Sequence, residues 1–233
     1  MSGSLTLVGG GWGGDGSAWQ PFLDAAGPEP TIAVLAVRDQ DGEEHVARLV
    51  QSLQAIGPLD ARVAVIAPGG SFDPAVLDGA DGVLVGGGLT PAYLEAVLPL
   101  ADRIRALVDA GRPYAGFSAG SAIAARRAVI GGWRHDDVAV VDEEVAEDLE
   151  ALAVRDGLGL TDLTLDVHAA QWGTLARLIT AVGAGLVERG AAIDENTSLV
   201  VDGDGFRVVG SGNVWWVEGG GDAVTVRRQP AER

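Results

Sequence analysis

The chain has 233 residues, 33 of them acidic and 16 basic, which gives a formal net charge of −17, and it has no cysteine. The missing cysteines exclude disulfides, thiolate metal sites and a cysteine nucleophile. The negative charge disfavours phosphate backbones, so we expect no nucleic-acid binding. The sequence has no signal-peptide pattern and no run of about 18 apolar residues. We therefore expect a cytoplasmic protein with no membrane contact.

Short apolar runs alternate with helical patterns through the first half of the chain. The runs predict strands at residues 5–8, 31–37, 61–67, 82–85 and 113–117. Amphipathic patterns predict helices at 43–55 and 91–110. Strands that are apolar on both faces are typical of a parallel sheet with helices on both sides. The pattern therefore predicts a three-layer, flavodoxin-like α/β fold with a mostly parallel sheet.

The second half begins with an acidic stretch, residues 136–150, which predicts a surface loop. A strand over 163–167 and a helix over 175–183 follow. From 197 to 227 the pattern is β-like, with hairpin turns expected at 202–205 and 210–213. We therefore expect a C-terminal β-rich extension. Because no repeat or linker interrupts the chain, we interpret residues 1–233 as one domain.

The segment Gly116-Phe117-Ser118-Ala119-Gly120 matches the Gly-x-Ser-x-Gly pattern between a predicted strand and a predicted helix. In this context a tight turn exposes the serine hydroxyl, and the glycines avoid steric clashes. The Ala119 N–H would then be available to stabilise an oxyanion. The pattern indicates that Ser118 is a nucleophile.

A nucleophilic serine needs a base, and the chain has three histidines. His45 lies on a charged helix face with Glu43 and Glu44, which predicts a solvated surface position. His135 lies in an exposed loop that could serve as a lid, a weak metal site or neither. His168 ends a strand, where α/β sheets collect functional groups, and is the predicted base.

The order of these residues along the chain favours a particular kind of hydrolase. In an α/β-hydrolase the serine is followed by the acid and then by a histidine near the C-terminus. Here no histidine follows His168, whereas the segment Asp194-Glu195-Asn196-Thr197 does. The order serine, histidine, acid therefore argues against a standard lipase or esterase.

At this level of detail the chain resembles the serine peptidases that include dipeptidase E and cyanophycinase, relatives of the class I glutamine amidotransferase fold. The resemblance extends over most of the chain. It is carried by the glycine loop at 85–90, the nucleophile turn at 114–121, the base segment at 156–160 and 165–168, the acid segment at 192–197 and the closing strands at 208–214.

The resemblance implies hydrolysis of a peptide or isopeptide bond in a small peptide substrate, through an acyl-enzyme. Ser118 would attack, His168 would transfer the proton and Glu195 would orient the imidazole. The N–H groups of Gly88 and Ala119 would form the oxyanion hole. No metal and no other cofactor is implied.

Two departures from the family bear on the substrate. Leu89 and Thr90 stand where the family often has Asn, Asp or Gln, and the Arg-rich stretch after the base is reduced to Arg177. Arg38 or Arg134 could replace the missing arginines, so a preference for acidic substrates is left open. The predicted substrate-binding residues are Gly87, Leu89, Thr90, Trp172 and Arg177.

Several alternatives remain at the level of sequence. One is a serine esterase or amidase on the same scaffold, and another is a catalytically silent binding protein. The run from Gly9 to Gly14 matches Gly-x-Gly-x-x-Gly, but we favour a loop lining the hydrolase cleft over a dinucleotide site. Trp12, Trp133 and Trp172 could line that cleft. A homodimer is also possible.

Overall fold

The computed structural model describes residues 3–203, 205–220 and 223–232. Its helices are α1 Gln20–Ala26, α2 Gly42–Gln54, α3 Thr90–Val97, α4 Ala101–Asp109, α5 Ala119–Ile123 and α6 Leu175–Gly183. Its strands are β1 Leu5–Val8, β2 Thr31–Val37, β3 Asp60–Ile66, β4 Gly82–Val85, β5 Tyr114–Phe117, β6 Arg127–Gly131, β7 Arg134–His135, β8 Val138–Ala139, β9 Ala153–Asp156, β10 Thr164–Val167, β11 Arg189–Ile193, β12 Thr197–Asp202, β13 Gly205–Gly210, β14 Asn213–Gly220 and β15 Ala223–Pro230. Within these residues, no helix has the length and apolarity needed to cross a membrane.

The central sheet has the strand order β13-β12-β1-β5-β4-β2-β3. The five strands from β1 to β3 in this order are parallel, whereas β12 and β13 join antiparallel at one side. The predicted mostly parallel α/β sheet is confirmed. Part of the expected C-terminal extension thus continues the central sheet.

The alternation of side chains along β2 shows how the layers form. Ile32, Val34 and Ala36 pack in one buried cluster with α1 and α2. Ala33 and Leu35 belong to the opposite cluster, which contains residues of α3, α4 and α5. Successive side chains of a strand point to opposite faces, so helices cover the sheet on both sides.

A second sheet, β10-β11-β14-β15, lies under α6. Its first two strands are parallel, and they end at Val167 and Ile193. Because parallel strands end at the same edge of a sheet, the segments that carry His168 and Glu195 leave side by side. The remaining expected C-terminal strands, β14 and β15, complete this sheet. The first expected hairpin turn includes Asp204, which lies outside the described residues.

Several local predictions differ from the structure. The helix predicted over 91–110 is divided into α3 and α4 at Pro99, because proline lacks the N–H that a continuous helix requires. Strand β3 is an edge strand rather than a doubly covered one, and Val63 is 44% exposed. The sequence patterns did not indicate α1, β6, β7, β9 or β11. The acidic stretch predicted as a loop contains β8 and a 3-10 turn at Glu143–Val145.

Candidate active site

Three consecutive carbonyl groups at the end of β1 hold the segments that carry the predicted triad. The Val8 oxygen accepts the Ser118 N–H at 2.9 Å and the Gly9 oxygen accepts the His168 N–H at 3.0 Å. The Gly10 oxygen accepts the Asn196 N–H at 2.7 Å. A single stretch of backbone therefore brings together three segments that are far apart in the sequence.

The glycines of this stretch are required by close packing. A Cβ atom on Gly9 would lie 2.3 Å from the Asp194 carbonyl oxygen, and one on Gly10 would lie 2.1 Å from His168 Cε1. These distances are far below van der Waals contact. The Gly-x-Gly-x-x-Gly match at residues 9–14 is thus explained in part by packing against this chain's own base and acid segments.

Ser118 occupies a sharp and strained turn between β5 and α5. Its φ of 52° and ψ of −110° lie in a region that residues with a side chain rarely adopt. A Cβ atom on Gly116 would lie 2.5 Å from the Ser121 nitrogen, and one on Gly120 would lie 2.2 Å from the Val85 oxygen. Both glycines of the Gly-x-Ser-x-Gly pattern are therefore needed for the turn to close.

The three predicted triad side chains form a continuous hydrogen-bonded chain. Ser118 Oγ lies 2.8 Å from His168 Nε2, and His168 Nδ1 lies 2.7 Å from Glu195 Oε1. Burial lowers the pKa of His168, and the adjacent Glu195 carboxylate opposes this effect. With Nδ1–H donated to Glu195, the neutral imidazole presents Nε2 to Ser118 as an acceptor, which is the tautomer that a general base requires.

The glycine loop lies directly beside the nucleophile. A Cβ atom on Gly87 would lie 2.9 Å from Ser118 Cβ, so only glycine permits this approach. Within residues 3–203, 205–220 and 223–232, the N–H groups of Gly88 and Ala119 donate to no backbone or side-chain acceptor. Neither predicted oxyanion-hole donor is therefore committed to a hydrogen bond within the described residues.

Asp194 and Glu195 are adjacent, and the structure assigns them different contacts. Asp194 is buried and accepts hydrogen bonds from Ala170 N, Trp215 Nε1, and both the backbone N–H and the side-chain amide of Asn213. The Glu195 carboxylate contacts His168, while its backbone N–H donates to Gln171 Oε1 at 2.9 Å. Asp194 therefore holds the loops in place, and Glu195 contacts His168.

This geometry can be compared with that of known proteins. The model of peptidase family S51 matches residues 30–209, well over half of the chain. The chain belongs to peptidase family S51. The family is one of serine peptidases, as the sequence motifs indicated.

Two solved structures share the fold of this S51 peptidase. One is a peptidase from an acI-B1 Actinobacterium, with a TM-score of 0.70 and 17% identity, covering 100% of this chain and 96% of that chain. The other is a putative peptidase E protein from Listeria monocytogenes EGD-e, with a TM-score of 0.57 and 16% identity, covering 98% and 100%. At this level of identity the likeness concerns the fold alone.

The S51 site opens into a cleft of about 1030 Å³. The predicted substrate residues Gly87, Leu89 and Trp172 line it, together with Trp12 and Trp133. One side of the cleft is formed by residues 143–150, which we call the acidic segment. Its acidic residues at the cleft are Glu143, Glu144, Glu147, Asp148 and Glu150.

Positive charge at the cleft is largely neutralised by neighbouring groups. Arg38 lines the cleft, but its guanidinium forms a bidentate pair with Asp41 and also donates to the Gly87 oxygen at 3.4 Å. Arg134, which lies outside the cleft, pairs with the cleft residue Glu150 at 3.0 Å. The cleft therefore has an excess of negative charge.

Two residues predicted to bind substrate do not line the cleft. Arg177 is 4% exposed, forms a bidentate pair with Asp166 and donates to the Val145 oxygen at 2.9 Å. Thr90 is also buried, and its N–H donates to Glu147 Oε2 at 2.8 Å. Both residues anchor the acidic segment, because each contacts it from the protein interior.

The two remaining histidines also differ in their surroundings. His45, predicted to be solvated, lines the cleft and packs edge-on to Trp12, and its Nε2 atom is buried without a partner among the described residues. Burial lowers the pKa of His45 to about 4. His135 lies outside the cleft, 3.6 Å from Asp136. Among the described residues, no group of three or more acidic or histidine side chains is arranged to hold a metal ion.

Proposed function

We propose that this S51 peptidase hydrolyses a peptide or isopeptide bond in a small peptide through an acyl-enzyme on Ser118. The observation that carries the proposal is the unbroken chain of hydrogen bonds from Ser118 through His168 to Glu195. His168 would accept the Ser118 proton during attack and deliver it to the leaving amine. A water molecule would then hydrolyse the ester by the reverse proton route.

The free N–H groups of Gly88 and Ala119 support the same step. Ala119 follows Ser118 in the chain, and Gly88 follows Gly87, which packs against Ser118 Cβ. We expect both N–H groups to bind the negative oxygen of a tetrahedral intermediate. The cleft volume of about 1030 Å³ fits a short peptide rather than a folded protein.

The charge of the cleft favours one class of small peptide. Five acidic residues of the acidic segment line the cleft, but Glu147 accepts the Thr90 N–H and Glu150 pairs with Arg134. Among the described residues, Glu143, Glu144 and Asp148 line the cleft without a basic partner, whereas Arg38 is paired with Asp41. Opposite charges attract more strongly in a partly closed cleft than in bulk water. We propose that peptides with a cationic side chain are bound better than acidic ones.

The test is digestion of a mixed library of dipeptides, β-aspartyl isopeptides and simple esters, followed by mass spectrometry. The library includes matched peptides with Arg, Gln or Glu at each position. The wild type is compared with Ser118→Ala, which should lose activity by about 10⁴-fold or more. Products that form only with the wild type, and most rapidly from the cationic peptides, support the proposal.

Two other outcomes would change the proposal. Turnover of esters but not of peptides would favour an esterase on the same scaffold. No Ser118-dependent product from any substrate would favour a catalytically silent binding protein.

A further inference from the structure

Trp172 covers the imidazole of His168. The two ring centroids lie 3.7 Å apart and the ring planes differ by 5°, which is a parallel stack. The chain itself sets this geometry, because the Trp172 N–H donates to the His168 oxygen at 2.9 Å and closes a tight turn. A residue at position 172 is thereby held close to the base.

The opposite side of the imidazole is covered by Gly10. A Cβ atom on Gly10 would lie 2.1 Å from His168 Cε1, so the ring packs directly on the backbone there. The imidazole is thus enclosed between Trp172 and Gly10, with Ser118 and Glu195 at its two nitrogens. This arrangement restricts both the plane and the position of the ring.

The stack also affects the charge that develops on the ring during catalysis. When His168 accepts the Ser118 proton it becomes an imidazolium, and the face of an indole attracts a cation within about 6 Å. The other charged groups that act on His168 are Glu195 in direct contact and the pair Asp166–Arg177. Asp166 favours the charged ring and Arg177 opposes it. Glu195 and the indole are therefore the two groups in direct contact with the ring that favour its charged form.

We propose that Trp172 is a positioning residue for His168, which fixes the imidazole plane and stabilises its protonated form. The inference rests on the proposed function, because it assigns Trp172 to the base of that reaction. It also revises the expectation that Trp172 serves substrate binding alone. Trp172 is 45% exposed, so part of its surface remains open to the cleft.

The decisive comparison is between Trp172→Leu and Trp172→Phe. Leucine keeps an apolar cover over His168 but has no aromatic face, whereas phenylalanine keeps both. The pKa of His168 is measured in the substrate-free protein by ¹⁵N-detected NMR titration of the histidine rings. With only three histidines in the chain, the variants His45→Gln and His135→Gln identify the His168 resonance.

We expect Trp172→Leu to lower the pKa of His168 by about 0.5 to 1 relative to the wild type, and Trp172→Phe to stay within about 0.3 of it. The matched control is Trp133→Leu, which removes a cleft tryptophan that does not stack on His168 and should leave this pKa unchanged. An unchanged or raised pKa in Trp172→Leu, or an equal fall in Trp172→Phe, would overturn the proposal.

The kinetic arm uses the best Ser118-dependent substrate from the library. In Trp172→Leu, the plateau value of kcat/KM should fall by about tenfold. The acidic limb of its pH profile should move to lower pH. Trp172→Phe should keep most of the wild-type kcat/KM. A fall confined to 1/KM, with kcat and the pH profile unchanged, would assign Trp172 to substrate binding and overturn the proposal. If no substrate is found, the proposed function fails, while the NMR comparison still decides the role of Trp172.

Discussion

The two walls of the cleft that meet at Ser118 and His168 are built differently. The nucleophile wall, residues 86–88 and 116–120, depends on backbone that packs too closely for any Cβ atom at Gly87, Gly116 or Gly120. The base wall, residues 168–172 and 194–196, depends on hydrogen bonds from side chains, with Asp194 and Gln171 as the central acceptors. One wall is fixed by steric exclusion and the other by a polar network.

This difference determines how each wall should respond to substitution. In the base wall, replacing a carboxylate by its amide keeps the volume but removes charge and acceptors, so function or stability is lost without a change of shape. In the nucleophile wall most side chains are glycine hydrogens, and few polar side chains can be tested. Apart from Ser118 itself, the comparison therefore predicts large effects from isosteric changes in the base wall and smaller ones beside the nucleophile wall.

Within the base wall, the largest effect is expected for Glu195→Gln. The amide no longer stabilises the imidazolium and can hold His168 in the unproductive tautomer, so kcat should fall by about 10³- to 10⁴-fold. Steady-state kinetics on a Ser118-dependent substrate checks this, with Glu188→Gln as an exposed control that keeps full activity. Retention of more than about a tenth of the activity would remove Glu195 from the triad.

A second large effect is expected for Asp194→Asn, on stability. The buried carboxylate accepts four hydrogen bonds, and an amide would turn its NH₂ group toward at least one pair of these donors. Loss of two charge-assisted bonds costs about 3 to 4 kcal/mol in the free energy of unfolding. Urea denaturation measures this.

The matched control for Asp194 is Asp162→Asn. Asp162 is 70% exposed and pairs with Arg126, so the change should cost less than about 1 kcal/mol. Equal losses in the two variants would mean that the base wall does not depend on its polar network.

The smallest effect is expected for His45, which lies beside the nucleophile wall. In the folded protein the pKa of His45 is lowered from 6.5 to about 4. Between pH 4 and pH 6.5 the unfolded chain therefore binds a proton at His45 more readily than the folded protein does. The His45 contribution to stability is therefore full above pH 6.5 and is lost as the pH falls toward 4. Burial, the larger cause, and the charge of Arg38 both lower this pKa.

The measurement is the free energy of unfolding at pH 7 and pH 4.5 in the wild type and in His45→Gln. Between pH 7 and pH 4.5, the free energy of unfolding of His45→Gln should fall by roughly 1 kcal/mol less than that of the wild type, a figure that allows for screening by solvent. His135→Gln, in the β7–β8 hairpin, serves as the control and should follow the wild type. If the stability of His45→Gln changed with pH as that of the wild type does, the prediction that burial of His45 makes stability pH-dependent would be wrong.

The sequence by itself determined the parallel sheet and the position of Ser118. Apolar strands alternate with helices over short distances, and a Gly-x-Ser-x-Gly turn requires its glycines within five residues, so both features are encoded locally. The assignment of His168 as base, with an acid at Asp194 or Glu195 after it, also follows from the sequence, since the chain has few histidines.

Only the tertiary structure decided how the polar side chains are partnered. Arg177 pairs with buried Asp166. Asp194 accepts hydrogen bonds from Trp215 and Asn213. No local sequence pattern predicts these contacts. The same is true of the enclosure of His168 between Trp172 and Gly10, which lie in different parts of the chain. Which side chain stays free for chemistry depends on what the fold places beside it, because a buried polar group must find a partner wherever the packing supplies one.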